Sequence, residues 1–174
     1  MDIPAYIERL EEKIGTDNLQ TNYPHDQLTI TVSRDKIQEA LQFLRDDDEA
    51  LFDHFMDLTA VDYIGKQPRF QVVIHLVSIP KSQRIRIKIN IDDDSAEMPT
   101  ITGIYPAADW FERECYDLYG IRFAGHPNLK RIMLYDEFEG YPLRKDYPIR
   151  KRQPRVELRK PEVRRSDETV EPPR

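Results

Sequence analysis

Glu112-Arg113-Glu114 set two carboxylates and a guanidinium in a row, followed by Asp117 and His126, then Arg131, then Arg144-Lys145-Asp146. Side chains of these types can pass a proton between carboxylate and imidazole, clamp an anion, or pair with one another. Nucleophilic catalysis needs an activated Ser, Thr, Cys or Lys with a base beside it, and the block 110–148 offers no such pair. Cys115 is the only cysteine, so internal disulfides, an iron–sulfur cluster and a cysteine-rich zinc site have no ligands here. His25, His54, His75 and His126 are scattered without metal-ligand spacing. Neither G-x-G-x-x-G nor G-x-x-x-x-G-K-[ST] occurs, so Gly120, Gly125 and Gly140 are expected to supply turns rather than a phosphate cradle. With Pro127, Pro142 and Pro148 they make a rigid, charged and chemically quiet block, which points to recognition of a protein partner.

The helix that must position the first half of this block is expected over 107–119, after Pro106 and stopped by Gly120. At 100° per residue Ala107, Phe111 and Leu118 share one face, with Trp110 and Cys115 at its borders. Asp109, Glu112, Arg113 and Tyr116 fall on the opposite side, while Glu114 lands in the middle of the apolar face. A bare buried carboxylate is costly, so Glu114 is expected to be protonated or paired, with Arg131 and Arg144 as the candidate partners. Such a pair would hold helix against loop; the other readings are a group titrating beside a proton or redox path, and a contact to a partner chain. His126, held extended by Pro127, reads as a hydrogen-bonding turn residue rather than a general base. Cys115 reads as a small core filler. Arg144-Lys145-Asp146 either clamps a carboxylate on a neighbouring protein or satisfies itself.

Upstream, Ile7, Leu10 and Ile14 recur at helical spacing over 4–14, and Gly15 follows as a cap. Leu28, Ile30 and Val32 alternate with threonines as in a half-buried strand. Ser33 is placed to cap a helix over 34–45 that presents Ile37, Leu41 and Leu44. Three further strands are expected: 55–64, one through Phe70, Val72, Ile74 and Leu76, and one through Ile85, Ile87, Ile89 and Ile91. Pro80-Lys81-Ser82-Gln83 joins the last two. Arg84, Arg86, Lys88 and Asn90 point away from the isoleucines, so the other sheet face is wet or meets something acidic. Strict alternation implies an antiparallel sheet covered on one face by helices, an α+β fold. After the helix at 107–119 an ordered, loop-rich segment follows, broken by a short apolar piece at 132–134.

A chain of 174 residues suits one domain, 1–148, followed by a proline-punctuated tail, 149–174, that is extended or disordered. The net charge of −6 divides unevenly: 150–174 hold nine Lys/Arg and five Asp/Glu, or +4, which leaves −10 for residues 1–149. An acidic body argues against nucleic acid as a partner. No apolar run approaches the ~20 residues needed to cross a bilayer, and 1–4 lack the basic and apolar regions of a signal peptide, so a cytosolic chain is expected unless a partner carries it to a membrane.

In order and spacing, Glu112-Arg113-Glu114, Asp117, Gly120, Gly125-His126-Pro127, Leu129, Arg131, Gly140 and Pro142-Leu143-Arg144-Lys145-Asp146-Tyr147-Pro148 resemble the signature of the thirty-kilodalton subunit family of NADH-quinone oxidoreductase (respiratory complex I, NDH-1), whose members are its C subunits. The resemblance implies a non-catalytic core subunit of the peripheral arm of a proton-translocating complex. It implies no cofactor in this chain, with FMN, iron–sulfur clusters and quinone held by partner subunits. The partners implied are the D subunit, which helps form the quinone pocket, and neighbouring iron–sulfur subunits, with the C-terminal arm laid along them. The place implied is the cytoplasmic face of the cell (inner) membrane, reached only through the complex. Tyr141 stands where relatives often carry histidine, which argues against a proton-carrying role there, and Lys130 stands where arginine is common. Two other readings are a matching subunit of a membrane-bound hydrogenase or ferredoxin-linked quinone reductase complex, and a stand-alone enzyme using Glu114 or His126 as acid and base.

Overall fold

The structure, a computed structural model, describes residues 3–92 and 96–156. Helix α1 (Ala5–Ile14) buries Tyr6, Ile7, Leu10 and Ile14 and stops at Gly15, as its 3.6-residue spacing predicts. Strand β1 (Leu19–Asn22) follows, then β2 (Thr29–Val32). Ser33 does not cap a helix with its side chain: it opens a 3-10 turn (Arg34–Lys36), and helix α2 (Ile37–Asp46) starts only after it. Three nine-residue strands come next, β3 (His54–Asp62), β4 (Phe70–Ser78) and β5 (Gln83–Ile91). Short strands β6 (Glu97–Pro99) and β7 (Arg122–Ala124) bracket helix α3 (Ala108–Tyr119).

The main sheet runs β1-β2-β5-β4-β3. Ile85, Ile87, Ile89 and Ile91 are all buried on one face, with Phe70, Val72, Ile74 and Leu76 of β4 beside them. Ile7 and Leu10 of α1 and Ile37, Leu41 and Leu44 of α2 belong to the same core. Each such side chain contributes roughly 1.5–3 kcal/mol by leaving water. The α+β class agrees with the sequence, but the sheet is mixed rather than antiparallel. β2 pairs parallel with β5, because α2 and the β3–β4 hairpin intervene and return the chain in the same direction. β1 and the parallel β6–β7 pair are additions, each too short for an alternating pattern to show. On the open face the polar residues of neighbouring strands find partners. Asp57 meets His75 (2.7 Å), Arg86 donates to His75 Nε2 (2.9 Å), and Arg86 also donates to Gln27 (2.8 Å).

No helix among the described residues is long and apolar enough to cross a membrane. Of the expected tail, residues 151–156 form neither helix nor strand, and 157–174 lie outside the described residues.

Candidate functional site

Helix α3 packs on β3 and carries the first half of the charged block. Its buried stripe is Ala108, Glu112 and Cys115, not the face centred on Glu114, and Asp117 is buried separately on the opposite side of the helix. Glu114 is exposed, and it pairs with neither Arg131 nor Arg144 in the way its place on the apolar wheel implied. The reason is that two carboxylates, which a wheel scores as surface residues, are turned inward and satisfied by backbone donors. The true stripe is therefore rotated towards Glu112.

The Glu112 carboxylate is fully buried. It accepts the Thr100 hydroxyl at Oε2 (2.6 Å) and the Ile101 N–H at Oε1 (2.7 Å), tying α3 to the stretch after β6. Burial pushes its carboxyl up to about 7, opposed in part by the Ile101 and Thr100 bonds. His126 stands close by, with Nε2 3.9 Å from Glu112 and 3.1 Å from Asp109. His126 Nδ1 accepts the Asn128 N–H (2.9 Å), the turn role expected for it, with Pro127 between the two residues.

Asp117 organises the second half of the block. Arg131 donates to its Oδ1 (2.9 Å), and the N–H groups of Ile132, Met133 and Leu134 all converge on Oδ2 (3.0, 2.8 and 2.9 Å). The apolar piece at 132–134 is thus no strand but a loop wrapped round a carboxylate. Arg113 adds donors to the carbonyls of Lys130 (3.1 Å) and Arg131 (3.4 Å) and lies over the Trp110 ring.

Gly120 ends α3 in the left-handed region, at φ 75°. A β-carbon there would sit 2.5 Å from the Tyr141 ring and 2.8 Å from Arg144, so this glycine allows the signature loop to close on the helix end. Arg144 donates to the Tyr119 carbonyl (2.6 Å), and its guanidinium covers both Tyr141 and Phe70. Leu143 N–H bonds the Leu118 carbonyl (3.1 Å). Gly140, at φ 93°, lies under the Tyr147 ring.

Arg144-Lys145-Asp146 is largely satisfied inside the chain. Asp62, at the end of β3, binds Arg69 through both oxygens (2.9 and 3.0 Å) and accepts the Lys145 N–H (2.7 Å). Asp146 meets Arg69 from the other side (3.0 Å). The Arg69 guanidinium holds the Asp62 carboxyl below the usual carboxylate range. Asp62 and Arg69 escaped the sequence reading; a charged pair bracketing the β3–β4 turn, next to Phe70, was the available signal. Tyr147 stacks on Phe138 (6.1 Å), the Pro148 carbonyl accepts the Lys151 N–H (3.0 Å), and Gly125 turns the chain before His126. Cys115 is buried and its thiol is pushed up by burial, which disfavours a nucleophilic thiolate.

The loop is therefore anchored at many points, yet it leaves large apolar side chains in the open. Trp110 is 60% exposed, Met133 65%, Leu143 44% and Tyr135 41%. Exposed large apolar side chains on an ordered backbone are of the kind enriched at protein interfaces.

Residues 30–153 match the family described as respiratory-chain NADH dehydrogenase, 30 Kd subunit. The NADH-quinone oxidoreductase C subunit of Hyphomonas neptunium is 43% identical over 85% of this chain and 71% of its own length. Its namesake in Citrifermentans bemidjiense is 43% identical over 82% of this chain and 88% of its own. Among solved structures, a trypsin-resistant fragment of Nqo5 superposes with a TM-score of 0.60 at 27% identity, covering 71% of this chain and 99% of the fragment. A chain of the membrane-bound sulfane sulfur reductase, an archaeal respiratory membrane complex, gives a TM-score of 0.67 at 29% identity over 82% of this chain and 84% of its own. With the family match running from β2 through β5, α3 and the whole anchored loop, this chain belongs to the 30 Kd subunit family of respiratory-chain NADH dehydrogenase, the C subunits of NADH-quinone oxidoreductase.

Proposed function

We propose that this chain is a non-catalytic scaffold of the peripheral arm, and that its anchored loop at 127–148 and the outer side of α3 receive the quinone-site D subunit. The observation that carries this reading is the exposure of Trp110 on α3 and of Met133, Tyr135 and Leu143 on a loop whose backbone is already held by Asp117, Asp62 and Arg144. A surface ordered in advance loses little conformational freedom on docking. In this reading FMN, the iron–sulfur clusters and quinone belong to partner subunits. The chain reaches the cytoplasmic face of the membrane only through them, and the iron–sulfur subunits and the tail complete the contact.

The test is co-expression of the full chain with the quinone-site subunit. Met133→Glu and Leu143→Glu are each expected to abolish one-to-one co-purification while the circular dichroism spectrum and melting temperature of the chain stay unchanged. Retained co-purification with both variants sinks the reading, and a stoichiometric flavin or iron–sulfur absorbance in the isolated chain sinks the assignment of cofactors to partners.

The likeness to a chain of an archaeal respiratory membrane complex is compatible with a second reading, an equivalent subunit of a membrane-bound hydrogenase or ferredoxin-linked quinone reductase complex, without pointing to either. The identity of the flavin- or nickel-bearing partner that co-purifies separates the two.

A further inference from the structure

Three groups that can ionise meet beside a cleft of about 500 Å³ lined by Gln38, Thr100, Thr102, Asp109, Gly125 and Pro127, among others. Asp109 is at its lip, 37% exposed at the side chain, while the side chains of His126 and Glu112 behind it are closed off from solvent. Two carboxylates thus face one imidazole, and the hydrogen bonds decide which member carries a proton.

His126 is committed. Its Nδ1 accepts the Asn128 N–H at 2.9 Å, which a doubly protonated ring cannot do. The ring proton therefore sits on Nε2 and is shared with the Asp109 backbone carbonyl at 3.4 Å, while Asp109 Oδ1, 3.1 Å from Nε2, is buried and takes no hydrogen bond. A second proton on the imidazole would break the Asn128 bond and open the turn. The Asp109 side chain is 37% exposed, although its Oδ1 is turned inward towards the ring. Glu112 has no such exposure to water, and its charged form would face the Asp109 carboxylate across the ring.

Glu112 does have a path to the cleft. Thr100 Oγ1 is 2.6 Å from Glu112 Oε2 and 2.9 Å from Thr102 Oγ1, and both threonines line the cleft. With Glu112 ionised, the Thr100 hydroxyl donates to it. With Glu112 protonated, the carboxyl donates to Thr100, whose own hydrogen turns to Thr102. The proton lost by Glu112 leaves along this pair to water in the cleft. We propose that Glu112 is the member of the Asp109–His126–Glu112 cluster that binds and releases a proton, through Thr100 and Thr102, and that its ionisation loosens the turn at 125–128.

The other charged groups around it do not compete for that role. On α3 the neighbours are Asp109 and the buried Cys115, and Glu114 is exposed. On β3, Asp62 is taken by Arg69 and Asp57 by His75. On β6 and β7, Glu97 and Arg122 approach one another at 4.0 Å. From α2, Gln38 gives its amide to the Thr100 carbonyl (2.7 Å). Burial sets the level at which Glu112 titrates, about 7, and the charge of Asp109 pushes the same way. Once Glu112 is ionised, its charge and the buried Asp109 Oδ1 face each other across the His126 ring, and relieving that repulsion shifts the ring against its long Nε2 bond to the Asp109 carbonyl and loosens the Gly125-His126-Pro127 turn. The inference concerns the chain by itself and stands whether or not the loop docks the quinone-site subunit.

The experiment is a pH titration of the full chain, from 5 to 9, followed by the infrared C=O band of protonated carboxyls, by ¹⁵N shifts of the histidines and by amide exchange at 125–128. One acid band is expected to disappear with a midpoint near 7 and to be missing in Glu112→Gln. Thr100→Val removes a donor to the ionised form, so the midpoint is expected to rise in that variant. His126 is expected to keep its Nε2–H form through the transition, and amide protection at 125–128 to fall by at least threefold beyond the intrinsic pH effect. A band that survives Glu112→Gln, a midpoint in the ordinary carboxylate range, or a proton taken up by His126 overturns the assignment. Unchanged protection at 125–128 overturns the coupling. Should Glu112→Gln fail to fold, the Thr100→Val midpoint and the His126 shifts decide.

Discussion

Arg131 and Asp117 pair at 2.9 Å, with Asp117 fully closed off and Arg131 19% exposed at the side chain. The other Asp117 oxygen holds three successive backbone N–H groups. One carboxylate thereby fixes both the guanidinium and the backbone path of the loop that follows it. Asp117→Ala leaves three backbone N–H groups without an acceptor and the Arg131 cation without its partner. Losing one member of a buried pair costs roughly 3–5 kcal/mol. Urea unfolding of the chain is expected to show a loss of that size, with new protease cleavage in 131–148; an unchanged midpoint contradicts the assignment.

Gly120→Ala tests the helix end. The left-handed conformation alone costs a residue with a β-carbon roughly 1–2 kcal/mol. The 2.5 Å approach to the Tyr141 ring adds to this, because the ring and Arg144 must move. The expected outcome is a lower melting temperature together with a changed Tyr141 environment in aromatic NMR shifts. A drop in melting temperature with Tyr141 unmoved would leave only the backbone effect.

Trp110, 60% exposed with Arg113 over its ring at 5.2 Å, has the character of an interface anchor. Trp110→Ala is expected to weaken binding to the quinone-site subunit by at least tenfold in a titration. Stability of the isolated chain should change by less than about 0.5 kcal/mol, as for other surface sites.

Two carboxyls give stability opposite slopes with pH. Asp62 is held below its ordinary value by Arg69, so its contribution is present above the unfolded carboxyl range and is lost as pH falls through the folded value. Glu112 is raised to about 7 from 4.5, so the folded state holds its proton more tightly. Its contribution is full below pH 4.5 and is lost by pH 7, a change of roughly 3 kcal/mol. Melting temperatures read across pH 3–8 should fall at the acid end in the wild type and less so in Asp62→Asn. The fall between 4.5 and 7 should flatten in Glu112→Gln.

The sequence carries the sheet core almost openly, since the isoleucines of β5 alternate without interruption and no helix can present that pattern. α1 follows from its helical spacing and the cores of β4 and β5 from alternation, while their ends do not: β4 runs on to Ser78 and β5 begins at Gln83, inside the expected loop. β1 stays hidden because Leu19 is its single apolar residue, and its pairing with β2 is a tertiary fact. The wheel for α3 failed on Glu112 and Glu114 because hydrophobicity cannot report that Thr100 and Ile101, or the N–H groups at 132–134, will wait inside as donors. Glycines 120 and 140 were legible as turns; that Gly120 makes room for Tyr141 was not, since this depends on a residue twenty-one positions away.

Lys145 N–H closes on Asp62 across 83 residues of chain, and Arg144 rests on Phe70 of the same hairpin. Ordering so long a loop is entropically unfavourable until the β3–β4 hairpin already stands. The 143–148 end of the signature loop accordingly has nowhere to dock until that hairpin stands, so a protein that touches Leu143 in its docked position touches a finished sheet as well.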